Sequence, residues 1–113
     1  MGTVGEFAGT KGADVLMVFA DGTTRLAWNF DAKENRYGRT EAIGQFPSPL
    51  AAPALMAAGD MDGGGRDEAI LVEAGGGVWR ISLSAAATPK ATVIGLGSLE
   101  KDVSAIAIAQ MFG

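Results

Sequence analysis

A chain of 113 residues is long enough for one small domain with a modest core, and 17 glycines with few aromatics suit short strands and tight turns. A formal net charge of −4 without a basic cluster argues against nucleic-acid binding, in which phosphate neutralisation dominates affinity. Because the chain has no histidine and no cysteine, Ser–His triads, His-ligated zinc, disulfides and thiol chemistry are excluded.

The N-terminal residues 1–7 lack a basic region followed by an apolar stretch, so we expect no signal peptide. No apolar run approaches the roughly 20 residues that span a bilayer, and no membrane partner is expected. These features leave the localisation open.

The first half of the chain predicts strands in a regular order. Residues 1–13 are glycine-rich and read as a lead-in loop, and the apolar run 14–20 predicts a buried strand. Asp21-Gly22 is a strong hairpin signal, and residues 24–30 then alternate between apolar and polar. Polar residues 31–39 predict an exposed loop, followed by strands over 40–46 and 54–58.

The second half repeats this order. It predicts strands over residues 68–74, 78–84, 91–96 and 103–109, a hairpin turn at Gly75-Gly76-Gly77 and a loop over 85–90. Helix propensity at residues 85–87 and 104–110 offers an alternative, which the shortness of these segments and Pro89 disfavour.

An internal repeat organises the chain. Residues 5–18 lie over residues 59–72 without gaps, 54 positions apart, and the C-terminal residues 105–113 lie over 55–63. About four short strands per period of about 50 residues is the signature of a β-propeller blade. The sequence therefore predicts an all-β chain of two four-stranded blades. The two blade-length repeats cover residues 14–63 and 64–113, and each begins with the second strand of a blade.

Two blades cannot close a ring, because propellers typically need four to eight. We therefore expect homo-oligomerisation, with three chains giving a six-bladed ring favoured over four chains giving eight. The alternative is a piece excised from a longer propeller.

The residues between the two halves carry an acidic loop. Asp60 and Asp62 lie two apart, three glycines follow, and Asp67 and Glu68 open the next apolar strand. Alternate residues of a tight turn can aim several oxygens at one hard cation such as Ca²⁺. This stretch resembles the FG-GAP/VCBS repeats, the integrin-α-like propeller blades, whose pattern is Asp-x-Asp-x-Asp-Gly-x-x-Asp before an apolar strand.

The resemblance implies a calcium site. The implied ligands are Asp60, Asp62, Gly64, the Arg66 carbonyl and Glu68. Gly64 lacks a side-chain oxygen and Glu68 replaces the final aspartate, so we expect weakened binding. The first copy, residues 5–14, keeps only Glu6 and Asp14 as acids and is expected to bind no metal. For Asp60, Asp62 and Glu68 the alternative to calcium binding is a glycine-rich turn whose carboxylates cap nearby backbone amides. Asp67 is expected to be solvated.

Three aromatic residues are possible ligand contacts. Trp28 and Trp79 invite a sugar-binding interpretation, although their apolar neighbours favour packing between blades, and Tyr37 is expected in the exposed loop. The carboxylate pairs lie too close together to flank a glycosidic bond, so we expect no enzyme.

The favoured function is a non-enzymatic self-assembling scaffold or binding module, with a glycan or a protein as a further partner. A multivalent lectin is one alternative, and a designed or excised fragment without a ligand is another. Proteins that carry the repeats this chain resembles are usually extracellular or periplasmic.

Overall fold

The computed structural model describes residues 1–8, 13–47, 50, 53–60 and 66–98. Within them all regular structure is β, in two four-stranded antiparallel sheets whose strands follow chain order. The first sheet holds β1 (Gly2–Gly5), β2 (Asp14–Val18), β3 (Thr23–Asp31) and β4 (Arg36–Gln45). The second holds β5 (Pro53–Gly59), β6 (Glu68–Glu73), β7 (Gly77–Leu83) and β8 (Ala91–Ser98). The predicted all-β class with two four-stranded units is confirmed for the described residues.

The prediction of a lead-in loop over residues 1–13 is wrong. Gly2–Gly5 forms β1, which pairs with β2 through Val4 opposite Val15 and completes the first sheet. Two of its four residues are glycine, so local propensity is low, and the neighbouring strand supplies the partner that makes it a strand. The two sheets consequently span residues 2–45 and 53–98, and the strand predicted over 103–109 lies outside the described residues.

The prediction of an exposed loop over residues 31–39 is also wrong. β3 runs to Asp31 and β4 begins at Arg36, so only a four-residue turn separates them. The Asp31 carboxylate accepts hydrogen bonds from the backbone N–H groups of Lys33 and Glu34, and Asn35 takes a positive φ of 54°. A hairpin that projects into solvent is polar on both faces, which is why its sequence resembles a loop.

Both predicted tight hairpins are present. Gly22 and Gly76 take φ values of 89° and 100°, and their N–H groups donate to the carbonyls of Phe19 and Glu73. Glycine adopts this left-handed backbone without the cost that a Cβ would add. The Ala85-Ala86-Ala87 segment is a loop, as no helix occurs within the described residues.

The core lies between the two sheets, which pack face to face with β1 beside β5 and β4 beside β8. We call these facing sides the inner faces. The first sheet contributes Leu16, Val18, Leu26, Trp28 and Ile43, and the second contributes Ala69, Leu71 and Ile81 with Met56, Ala58, Trp79 and Val93 partly buried beside them. Burying each large side chain contributes about 1.5–3 kcal/mol, so this interface is the main source of stability.

Candidate functional site

The acidic loop connects β5 to β6, whose ends face each other where Gly59 pairs with Glu68. This pairing brings Asp60, the Arg66 backbone and Glu68 to the same end of the second sheet. Of the predicted calcium ligands, Asp62 and Gly64 lie outside the described residues. Within the described part of the chain, no group of three acidic side chains is placed to hold a metal ion. The described residues therefore supply only part of an oxygen ligand set, which for Ca²⁺ has about six to eight members.

The Arg66 carbonyl was a predicted calcium ligand, but the contacts that the structure shows are made by the Arg66 side chain. Its guanidinium donates to the carbonyl oxygens of Ala8 at 3.0 Å and Ser84 at 3.1 Å. The first of these hydrogen bonds crosses from the second loop to the first. The fork geometry of guanidinium suits this bridging of two carbonyls.

Glu68 is buried, with 6% of its surface exposed, and the Arg80 guanidinium approaches its carboxylate to 3.9 Å. A buried carboxylate needs a compensating charge or hydrogen bonds. The Arg80 guanidinium supplies a compensating positive charge beside the Glu68 carboxylate.

The prediction that Asp67 is solvated is wrong. Its carboxylate accepts the Glu6 N–H at 2.8 Å, and its own N–H donates to the Glu6 carbonyl at 2.8 Å. Asp67 lies so close to the first loop that a Cβ built on Gly5 would stand 2.8 Å from its oxygen. We call Arg66 and Asp67 with their partners Glu6 and Ala8 the loop latch, because it joins the two repeat loops across the sheets.

In the first loop the acidic residue binds backbone amides. Asp14 is fully buried, and one carboxylate oxygen accepts the N–H groups of Phe7 at 2.9 Å and Ala8 at 2.8 Å. Phe7 is itself fully buried in the core cluster. Asp14 therefore caps backbone amides of the first loop, an arrangement that the sequence analysis considered only for the carboxylates of the second loop.

The two tryptophans both lie between the sheets. Trp28 is 2% exposed, and the Arg39 guanidinium lies 4.9 Å from its ring centroid in a cation–π contact. Arg39 also pairs with Glu41 at 3.0 Å and donates to the Thr88 hydroxyl in the opposite sheet's loop. These contacts leave the face of Trp28 inaccessible to a sugar ring.

Trp79 contacts Phe46, which directly follows β4, edge to face, with ring centroids 5.3 Å apart. Its indole N–H donates to the Glu73 carboxylate at 3.3 Å. Trp79 is therefore held by contacts within the protein on its ring and on its polar atom.

Tyr37 lies on β4 and not in a loop. Its hydroxyl donates to the Ala13 carbonyl at 3.0 Å, and its ring packs 5.1 Å from that of Phe30, which is 40% exposed. Tyr37 and Phe30 are the accessible aromatic pair at this end of the first sheet. The sequence placed Phe30 on a strand and Tyr37 in a loop, so it did not predict that these two residues face each other across β3 and β4.

Neither a protein-family model, a curated protein nor a solved structure matches this chain. The described residues contain no helix that is long and apolar enough to cross a membrane.

Proposed function

We propose that this chain is a non-enzymatic module that associates with further copies of itself, with its two sheets acting as consecutive blades of a closed propeller. The observation that supports this is the arrangement of the sheets. Each buries one face against the other, with first strand beside first strand and last beside last, as successive blades do. A homotrimer of six sheets is favoured and a homotetramer of eight is next.

Exposed apolar side chains on the remaining faces support the proposal. Val4 is 60% exposed on the first sheet, and Ile94 and Leu96 are 46% and 52% exposed on the second. Such side chains gathered on the two opposite outer sides of a small protein are typical of an interaction surface. The absence of histidine and cysteine from the whole sequence supports a scaffold or binding role over a catalytic one.

Native mass measurement tests the assembly. Size-exclusion chromatography with light scattering should return three or four times the 11.5 kDa chain mass at micromolar concentration. A stable single-chain mass across the accessible concentration range would refute the proposal.

We further propose that the acidic loop binds Ca²⁺ weakly and that the ion stabilises the fold. A ligand that binds only the folded state stabilises it by about 2.7 kcal/mol at 100 times its dissociation constant. Calcium should therefore raise the melting temperature, Asp60→Ala should abolish the rise, and Asp31→Asn, in an exposed turn, should leave it unchanged. An unchanged melting temperature of the wild-type protein in millimolar calcium would refute this part alone.

A further inference from the structure

The two sheets are equivalent position by position, with an offset of 54 residues over their first three strands. Leu16 pairs with Leu26 as Ile70 pairs with Arg80, and the hairpin glycines Gly22 and Gly76 share a positive φ. Both sheets also carry a β-bulge at the same place, after Thr24 in the first and after Val78 in the second. Each side of one sheet consequently has a known counterpart in the other.

This equivalence shows that the sheets stack head to tail. The inner face of the first sheet carries Leu16 and Val18, whose counterparts Ile70 and Val72 lie on the side of the second sheet that points away from the interface. The inner face of the second sheet carries Leu71, whose counterpart Met17 points away on the first. The interface therefore joins two different sides of the repeat, not one side to itself.

Each outer face is accordingly a copy of a side that is already buried elsewhere in the chain. Leu96 of the second sheet occupies the bulge position of Ile43, which is 3% exposed in the interface, yet Leu96 itself is 52% exposed. Val4 of the first sheet corresponds to Ala58, which packs against the core cluster, yet Val4 is 60% exposed. The exposed apolar parts of the outer faces thus lie at Val4 in β1 and at Leu96 in β8, whereas Ile70 and Val72 in β6 are only 7% and 1% exposed.

We infer that the outer face of the second sheet binds the outer face of the first sheet of another copy. This inference rests on the proposed self-association and specifies which surfaces make it. Such a heterologous contact repeats until the rotation closes a ring, or continues as a filament if it does not close. It continues the interface already present within the chain, with the second copy as its occupant.

The contact between copies is expected to be weaker than the internal one. Arg25, on the outer face of the first sheet, is the counterpart of Trp79, on the inner face of the second sheet. The interface between copies is therefore more polar than the interface within the chain. The loop latch is also absent, because Ala13 occupies the position that corresponds to Asp67. Assembly should therefore depend on protein concentration while each chain stays folded.

Two variants that block opposite faces test the inference. Leu96→Glu places a charge on the second outer face, and Val4→Glu places one on the first. Each substitution is at an exposed position, so the chain should fold, which circular dichroism and tryptophan fluorescence can check. Each variant alone should lose self-association by about 100-fold or more in affinity, because the glutamate would be buried without a partner.

The mixture of the two variants gives the decisive result. One intact face remains on each partner, and these two faces are complementary, so an equimolar mixture should form a 1:1 dimer and nothing larger. Phe19→Glu, at an equally apolar exposed position in the β2–β3 turn, should assemble like the wild type.

The outcomes separate the inference from the proposal on which it rests. If the wild-type protein is a monomer, both fail. If it assembles but the mixed variants stay monomeric, or if either variant still forms dimers alone, self-association stands and the head-to-tail pairing is refuted.

Discussion

Asp14 is predicted to hold the first loop, and Asp14→Ala should destabilise the protein substantially. Its carboxylate accepts two backbone N–H groups at 2.9 and 2.8 Å, one on buried Phe7 and the other on Ala8, which is half-buried. A buried donor that loses its acceptor costs about 1–3 kcal/mol, so two donors set a range of about 2–6 kcal/mol.

Two features place the expected loss in the lower half of that range, at about 2–4 kcal/mol. Water can reach the half-buried Ala8 amide once the carboxylate is gone. The second oxygen of Asp14 is buried without a hydrogen-bond partner among the described residues. Burying it costs free energy in the folded state, so its removal offsets part of the destabilisation. A loss of this size is a large part of the about 5–15 kcal/mol by which small domains are stable.

Urea unfolding monitored by tryptophan fluorescence measures the loss, because Trp28 is 2% exposed in the folded protein. All variants should be compared at one protein concentration. Asp14→Asn keeps an acceptor oxygen and should lose about 1 kcal/mol, and Glu34→Ala, in the exposed β3–β4 turn, should stay within about 0.5 kcal/mol of wild type. The reasoning is refuted if Asp14→Ala loses less than about 1 kcal/mol, or if alanine and asparagine are equivalent.

Two further perturbations probe the sheet interface and a hairpin. A Cβ on Gly44 would stand 2.7 Å from the Ala91 Cβ, so Gly44→Ala should cost about 1–3 kcal/mol of stability. Adding Ala91→Gly should recover part of the lost melting temperature. No recovery would contradict the close approach of these two positions. Hydrogen bonds from the Thr23 backbone N–H and hydroxyl hold the pKa of Asp21 below its ordinary value of 3.8. Its stabilising contribution is present above that value and lost as pH falls toward the folded pKa, so in urea unfolding at a series of pH values Asp21→Asn should show a shallower acid loss than wild type.

Local patterns in the sequence predicted most strands and both tight hairpins. Alternation over residues 24–30 and 78–84, and the glycines after Asp21 and Ala74, act through nearest neighbours and need no knowledge of the rest of the chain. The strand at Gly2–Gly5 was missed because its stability comes from pairing with β2. The β3–β4 hairpin was predicted to be shorter than it is, because its exposed end has no buried face and so shows no alternation of apolar and polar residues.

The candidate site was predicted less completely than the fold. The sequence marked residues 59–72 as an acidic loop and residues 5–18 as its counterpart, but it gave Asp67 no partner. That partner is Glu6, 61 residues away, which no local pattern connects to it. Buried Glu68 beside Arg80 likewise depends on the register of β6 against β7.

The sequence by itself determined that this chain forms two four-stranded units with glycine turns and acidic loops, because periodicity and turn chemistry are local properties. Only the tertiary structure decided which side of each sheet is buried. Trp28 and Trp79 lie 51 positions apart, whereas equivalent positions lie 54 apart, so they occupy opposite sides of their own sheets. The two spacings differ by three residues, which is an odd number, and side chains alternate along a strand. Both rings therefore lie in the one interface between the sheets.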